Sequence, residues 1–402
     1  MKPSILFVVP ADYDELKEKG VEGMILERDE GGFFGKVFTV HPIARTSRSF
    51  DLNSRHQVHE VGFDLLPAGR DIRFFRVLQY PTQLVRTILK VVNLVRKHRI
   101  SLIRANDPFW MGLIGLIGSR ICGVPYCISI HADYEKMVEL NGPLPIATVF
   151  GSYRVARYLS RLVLSKAAMV MPISRWLAAK AIAGGATPEK VRVIPHGMDL
   201  SPLIFPPSMD PRERFKLEPS RRIVSVVGRL SREKYVFDAI EIARELNRSR
   251  DDFVMLLAGG GPEEAKIRAI LKADESLSHC VLLLGFQSRQ VCIDIARAAD
   301  VSLCLLAGFG LIEACAAGAP VIAYDVEWNS ELIKDGETGF LVRENDVHSA
   351  ARRVAWIIDH RDQALAIGRA AREVAMQRHD IRRTSEVKVS CYTEILGHRA
   401  ST

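Results

Sequence analysis

A single carboxylate stands near the start of an otherwise apolar stretch, GFGLIEACAAGAPVIAYDVEW, which runs from Gly308 to Trp328. The glycines predict a turn that enters a helix, and the helix is followed by a buried strand. Because the first turn of a helix has unpaired N–H groups and the positive end of the dipole, a phosphate fits there. Glu313, just inside the helix, can accept two hydrogen bonds from the vicinal hydroxyls of a ribose. Alternatively, its charge only complements the helix dipole.

Two further motifs of the same half follow predicted strands. VVGRLSREKY places Arg229 and Lys234 shortly after Gly228, where two cations can hold an anionic leaving group such as a diphosphate. The alternative is a solvated turn. LLAGGGPE, which contains Gly260, lets backbone N–H groups approach a ligand closely, although it is also typical of a tight strand-to-helix turn.

The first half carries one candidate of the same kind. ISIHADYE ends a predicted strand with His131, which at that position points into the cleft of an α/β sheet and can donate to a sugar hydroxyl or a phosphate. A structural role is the alternative. ANDPFW places Asn106 and Asp107 at the end of the preceding strand, where contact with a ligand and helix capping are both compatible with the residues.

The elements that must position these residues alternate between strand and helix along most of the chain. Residues 201–220 are rich in proline and lack periodicity, so they are predicted to be a linker. We therefore expect an α/β protein with two doubly wound domains, 1–200 and 221–381, facing across a cleft. A last helix within 382–402 can return to the first domain. Ligands of such sheets bind beyond the carboxyl ends of the strands.

Composition narrows the class of protein. The 402 residues are 48% hydrophobic and 25% charged, as in soluble globular proteins. Seven cysteines form no CxxC pair, which predicts reduced thiols and a cytoplasmic protein. MKPSILFVVP is too short for a signal peptide, and PFWMGLIGLIGSRICG is too short to span a bilayer.

The basic excess lies in one half of the chain, since residues 1–200 hold 27 Lys and Arg against 18 Asp and Glu. No nucleic-acid motif accompanies it, so no nucleic-acid partner is expected. RDIRFFR (70–76) and RVARYLSR (154–161) each space three arginines along a helix, with aromatic residues nearby. Such faces can dock on an anionic membrane, which predicts a peripheral protein at the inner face of the membrane. A solvated charged face is the alternative.

Taken together, the motifs resemble the family-4 (group 1) glycosyltransferases, which have the two-Rossmann GT-B fold. The resemblance rests on GRLSREK, LLAGGGPE, GFGLIEACAAGAPVIA, DGETGFLV and VIPHGMD, and it covers residues 170–345 best. It implies that Arg229 and Lys234 bind the diphosphate of a nucleotide sugar, and that Glu313 binds the ribose. It further implies that backbone amides near Gly310 and Leu311 contact the phosphates, and that His131 faces the donor sugar.

The sequence departs from the family pattern at three places. The family usually carries an earlier glutamate that contacts the donor sugar, but the corresponding position here is Leu305 or, with a shortened loop, Ala307. The usual Gly-Gly acceptor loop after the first strand is absent, and the nearest glycines are Gly20 and Gly23. Tyr235 follows Lys234, where the family commonly has glycine. Recognition of the sugar and of the acceptor is therefore expected to differ from the usual pattern.

The resemblance implies a retaining glycosyltransferase that moves a sugar from a nucleotide diphosphate to a glycan or a lipid-linked glycan. The cations and the helix end would stabilise the leaving group, so neither a metal nor another cofactor is expected, and no DxD motif follows a strand. Two alternatives stay open at this point. A nucleotide-sugar 2-epimerase has the same fold, and a catalytically inactive scaffold would explain the missing acidic residue.

Overall fold

A computed structural model describes residues 2–18, 25, 27–63, 73–136 and 152–397. The chain forms two compact units, residues 1–195 with 385–402, and residues 196–384. Each unit is built on one parallel-rich sheet covered by helices. We refer to them below as the first and the second domain.

The sheet of the first domain has seven strands in the order β3-β4-β2-β1-β5-β6-β7. Neighbouring strands are parallel, except that β3 and β4 form an antiparallel pair at one edge. The apolar runs of the parallel strands are buried on both faces, whereas the edge strand β3 is mostly exposed. The strands are β1 (Ser4–Val8), β2 (Lys36–Ala44), β3 (Arg48–Asn53), β4 (His56–Gly62), β5 (Leu102–Ala105), β6 (Tyr126–Ile130) and β7 (Met169–Pro172).

Helices of the first domain connect these strands. The described helices between the strands are α1 (Tyr13–Glu18), α2 (Arg73–His98), α3 (Trp110–Cys122) and α4 (Tyr153–Lys166). Helix α5 (Arg175–Ala183) follows β7. A 3-10 helix, Glu27–Asp29, precedes β2. The last helix of the chain, here α15 (Ile381–Gly397), begins in the second domain and continues into the first. Its residues Cys391, Tyr392 and Ile395 pack into the first-domain core beside Phe7 and Phe34.

The second domain has a fully parallel sheet in the order β10-β9-β8-β11-β12-β13. Counted along the chain, this is the order third, second, first, fourth, fifth, sixth of a Rossmann domain, whose ligands bind where the order reverses. That point lies between β8 and β11. The strands are β8 (Arg222–Val227), β9 (Phe253–Ala258), β10 (Val281–Gly285), β11 (Val301–Leu303), β12 (Val321–Tyr324) and β13 (Phe340–Val342).

Helices of the second domain lie before, between and after these strands. They are α6 (Pro211–Arg214), α7 (Val236–Asn247), α8 (Glu264–Ala273), α9 (Glu275–Cys280), α10 (Arg289–Ala298), α11 (Phe309–Ala317), α12 (Asn329–Leu332), α13 (Val347–Asp359) and α14 (Arg361–His379). Three 3-10 helices, Pro188–Lys190 in the first domain and Ser201–Leu203 and Arg232–Lys234 in the second, complete the described elements.

The two doubly wound, Rossmann-like domains of the sequence prediction are confirmed. Their division lies at Pro195–His196, and residues 201–220 belong to the second domain. This proline-rich segment is held there by polar contacts. Ser208 donates its backbone N–H to Asp294 Oδ2 at 3.1 Å, and Arg297 Nη2 donates to the Leu203 carbonyl at 2.5 Å.

Two predictions made from the sequence, on membrane-spanning helices and on cysteines, can be compared with the described residues. No helix in them is long and apolar enough to cross a membrane, and PFWMGLIGLIGSRICG forms α3 within the first domain. All seven cysteines are free thiols, five of them buried.

Three histidines are buried in the sheet of the first domain. His56 Nε2 lies 2.8 Å from Thr39 Oγ1, and His59 Nδ1 lies 2.7 Å from Ser49 Oγ. Burial, with a smaller contribution from Arg28, lowers the pKa of His56 to about 3, and burial lowers the pKa of His59 to about 4. Burial also lowers the pKa of His41. The folded domain therefore holds these imidazoles neutral.

We expect stability to fall as the pH drops below the ordinary histidine pKa of 6.5. The unfolded chain then binds protons that the folded chain excludes, at a cost of up to about 1.4 kcal/mol per pH unit for each histidine. His56→Gln keeps a polar atom for Thr39 but does not titrate. Urea unfolding between about pH 7.5 and pH 4.5 should show a loss of stability smaller by about 2 kcal/mol in this variant.

His279→Gln, at an exposed position of the second domain, serves as the matched control and should lose as much stability as the unmodified protein. An equal loss in His56→Gln would contradict a neutral His56.

Candidate functional site

The predicted residues of the second domain converge at the carboxyl ends of two neighbouring strands. β8 and β11 pair in parallel through Val224 with Val301 and Ser225 with Ser302, so both strands end at the same edge of the sheet. β8 is followed by Gly228 and Arg229, and β11 by the loop that leads into α11. This edge is also the point at which the strand order reverses, which is where Rossmann sheets bind ligands.

Lys234 joins the two loops. Its Nζ donates a hydrogen bond to the Ala307 carbonyl at 2.8 Å. The next residue is Gly308, with φ +156°, and a Cβ there would lie 3.0 Å from Nζ, so glycine leaves room for the ammonium group. Burial lowers the pKa of Lys234, against smaller opposing effects of Glu327 and Glu233. The ammonium is thus held in a site where its charge is poorly solvated.

The amino end of α11 lies beside this ammonium group. Among the described residues, no side chain caps it, because Gly308 stands at the cap position. The first N–H groups of the helix, including those of Gly310 and Leu311, therefore face outward with the positive end of the dipole. Gly310 allows the helix to approach β8, since a Cβ there would lie 2.9 Å from the Val227 carbonyl oxygen.

Glu313 lies one turn into α11 and is only 9% exposed. Its Oε1 accepts a hydrogen bond from Arg289 Nε at 2.7 Å, and Arg289 Nη2 donates to the Asp199 carbonyl at 2.7 Å. Burial raises the pKa of the Glu313 carboxyl, and the bond and charge of Arg289 act against that rise. Glu313, the acidic residue of this apolar helix, is therefore a buried carboxylate whose orientation is fixed by Arg289.

Sequence reasoning missed Arg289. It is the first residue of α10, the helix that follows β10, so it also starts from the carboxyl edge of the sheet. An arginine at the amino end of a helix, where the dipole disfavours a cation, was the available signal.

The glycine-rich turn after β9 packs directly on the turn after β8. Gly228 donates its N–H to the Ala258 carbonyl at 3.0 Å, and Leu230 donates to the Gly260 carbonyl at 3.0 Å. A Cβ at Gly259 would lie 1.8 Å from the Gly228 oxygen, so only glycine permits this approach. Arg229 is exposed at the same edge, with Nη1 4.0 Å from Glu233 Oε1.

The departures from the family pattern have structural consequences. Leu305 is buried, and its carbonyl accepts a hydrogen bond from Asn329 Nδ2 at 3.0 Å. Ala307 is also buried, and its carbonyl is the acceptor for Lys234. Tyr235 has φ +54°, a left-handed conformation that favours glycine. This conformation explains why the family commonly has glycine at that position. The Tyr235 ring packs edge-on against the Tyr324 ring, with 5.0 Å between the ring centroids.

His131, the residue predicted to face the donor sugar, lies in the first domain, half-buried directly after β6. Of the two interpretations of Asp107, the structure supports capping, because Oδ1 accepts from the N–H groups of Phe109 and Met111 at 2.7 and 3.2 Å.

After β1, where the family has its glycine loop, Asp12 accepts from Glu15 N at 3.1 Å and opens α1. Gly20, Gly23 and the first residues of RDIRFFR lie outside the described residues.

Family comparisons cover both domains. The model described as Glycosyl transferases group 1 matches residues 210–374, and the model described as Glycosyl transferase 4-like domain matches residues 18–197. The chain is 26% identical over 386 residues to the 2-deoxystreptamine glucosyltransferase of Streptomyces kanamyceticus, covering 88% of this chain and 98% of that protein. The chain therefore belongs to the group 1 glycosyltransferases and is an enzyme.

Solved structures show the same fold. Anabaena Alr3699/HepE, in complex with UDP and glucose, is similar with a TM-score of 0.72 and 18% identity, over 98% of this chain and 99% of that one. The sucrose-phosphate synthase of Thermosynechococcus elongatus is similar with a TM-score of 0.76 and 18% identity, over 98% and 100%. The predicted GT-B fold is confirmed.

The Arg289–Glu313 pair yields a prediction with a defined pH dependence. In Arg289→Met, the pKa of the buried Glu313 should rise further, because one cause that lowers it is gone. The variant should be less stable by about 1–2 kcal/mol above that pKa, since Arg289 is 46% exposed and the pair is only half desolvated. The deficit should vanish as the pH approaches 4.5, the ordinary pKa of glutamate, where the carboxyl is protonated.

Urea unfolding at several pH values measures this deficit. Arg268→Met breaks an exposed pair with Glu264 and should cost no more than about 0.5 kcal/mol. The deficit should also shrink when Arg289→Met is made in a Glu313→Gln background. A pH-independent deficit would show that Arg289 does not stabilise the ionised Glu313 carboxyl.

Proposed function

We propose that this glycosyltransferase moves a sugar from a nucleotide diphosphate to an acceptor hydroxyl with retention of the anomeric configuration. The nucleotide binds at the carboxyl edge of the second-domain sheet. The UDP and glucose bound in the HepE structure support a nucleotide-sugar donor. The acceptor is a glycan or a lipid-linked glycan.

The observation that carries this proposal is the pairing of Lys234 with the amino end of α11. A poorly solvated ammonium group is costly unless an anion compensates it, and a diphosphate would do so. The N–H groups at Gly310 and Leu311 aim partial positive charge at the same place, and the exposed Arg229 stands at the same edge. Gly228, Gly260 and Gly308 keep side chains out of the space that the phosphates would fill.

Glu313 binds the ribose of the donor. Arg289 holds Oε1, and the carboxylate so oriented accepts hydrogen bonds from the ribose hydroxyls. In this arrangement Arg289 is a positioning residue, because it acts through Glu313. From the resemblance to the family, we propose that His131 contacts the donor sugar.

Retention follows if the acceptor hydroxyl attacks the anomeric carbon on the face from which the diphosphate departs. The new bond joins the hydroxyl oxygen to the anomeric carbon, the bond from that carbon to the diphosphate breaks, and the hydroxyl proton passes to the leaving group. No protein nucleophile is needed. Lys234, Arg229 and the helix end stabilise the charge that develops on the diphosphate, which makes a resident metal unnecessary.

A panel of UDP-, GDP- and ADP-sugars tests the proposed function. With one donor of the panel, free nucleotide should appear when an acceptor extract is added, and proton NMR of the product should show the anomeric configuration of the donor. EDTA should leave the rate unchanged. Inversion at the anomeric carbon, or conversion of the donor to its epimer without an acceptor, would contradict the proposal.

Lys234→Met should lower kcat/KM by about 10²–10³-fold, since it removes a charge that stabilises the leaving group. Steady-state kinetics with the active donor measures this change. Lys272→Met removes an exposed lysine of α8 and should change kcat/KM by less than about twofold. Equal thermal midpoints in the two variants would show that the loss is not one of folding. A Lys234→Met enzyme as active as Lys272→Met would exclude Lys234 from the reaction.

A further inference from the structure

The first domain contains a cavity of about 470 Å³ that the proposed donor site does not use. It lies between the end of β6, helix α4 and helix α5. Its volume is in the range of small-molecule sites in proteins. We call it the arginine pocket, after Arg154, Arg157 and Arg161 in its lining.

The arginine pocket has an apolar part and a cationic part. Phe109, Ile130, Leu164 and Leu177 line it with buried side chains. The three arginines stand at i, i+3 and i+7 on α4, so they share one face of the helix, and they are exposed. A ligand with an anionic group and a less polar body would match both parts.

A fourth cation is fixed in place by a buried carboxylate. Lys180 Nζ of α5 lies 2.5 Å from Asp133 Oδ2 and 4.5 Å from the centroid of the Trp176 ring. Asp133 is buried and also accepts from the N–H groups of Glu135 and Lys136 at 3.0 and 3.2 Å. Lys180 is thus positioned before any ligand binds.

The carboxylates of the pocket do not balance its cations. Asp133 and Glu135 are the acidic residues in the lining, against three arginines and one lysine. Arg157 Nε lies 4.0 Å from Glu135 Oε1, at the limit of an ion pair. Within the described residues, no carboxylate pairs with Arg154 or Arg161. Counted over the described residues, the lining therefore carries a net charge of two positive units.

We propose that the arginine pocket binds a phosphate group of the acceptor. A phosphate monoester carries about −1.5 to −2 charges at pH 7, which matches the excess of the lining. Its three oxygens offer more acceptor sites to several guanidinium groups than a hydroxyl or the two oxygens of a carboxylate do. The apolar part of the cavity takes the group that the phosphate esterifies.

The pocket adjoins the residue that we place at the donor sugar. Ile130 and Ala132, the neighbours of His131 in the chain, both line it. A phosphorylated acceptor held there would present its hydroxyl near His131. The term acceptor rests on the proposed function, but binding of a phosphate in this cavity does not.

Isothermal titration of the full chain with phenyl phosphate tests the inference, with phenol as the uncharged probe. Phenyl phosphate should bind at least tenfold more tightly than phenol at about 150 mM salt. The double substitution Arg157→Gln with Arg161→Gln should weaken its binding at least tenfold. Arg86→Gln, at an exposed arginine of α2, should change it less than twofold. Equal thermal midpoints confirm that the variants are folded.

Three results would overturn the inference. Phenyl phosphate and phenol could bind equally, or binding could be lost in Arg229→Gln but kept in the double variant, which would place the probe in the second domain. Binding to phosphatidylglycerol vesicles without binding of phenyl phosphate would make these arginines a membrane-docking face, as the sequence predicted. Since the titration needs no turnover, failure of the proposed transfer reaction would leave its result intact.

Discussion

The second domain depends on how it accommodates two charges at the apolar edge of a parallel sheet. Glu313 and Lys234 both lose water, and each loss must be compensated by a fixed partner. For Glu313 the partner is Arg289, the first residue of α10. Lys234 has the Ala307 carbonyl, a neutral acceptor, so an anion gains more there than at a solvated lysine. This poor solvation of the Lys234 ammonium group is the reason why we propose a diphosphate as the ligand.

Backbone proximity makes this arrangement possible. The turns after β8 and β9 touch through Gly228 and Gly259, and α11 reaches the end of β8 through Gly310. Side chains at these positions would push the loops apart and separate the ammonium group from the helix end. The strand order adds the second condition, because it brings β8 beside β11 although 73 residues separate Val301 from Gly228 in the sequence.

The first domain fixes a charged side chain at the arginine pocket by the same physical means. Buried Asp133 fixes Lys180 as Arg289 fixes Glu313, so in both domains a buried or half-buried ion pair orients a group at a cavity or strand end. The interiors differ in degree, since the first domain buries three histidines with lowered pKa and the second domain buries His379, whose pKa burial lowers to about 4. The stability of the first domain should therefore fall more steeply on acidification than that of the second.

The sequence by itself determined the alternation of strands and helices, the glycine turns, and the candidates Lys234 and Glu313, because these are features of local spacing. It did not indicate that Arg289 meets Glu313, that Asp107 accepts from the N–H groups at the start of α3, or that residues 201–220 pack into the second domain. Those contacts join residues brought together by strand order and helix packing, or choose between two local roles that the same residues allow. Only the tertiary structure, which sets the distance between groups far apart in the chain, could decide them.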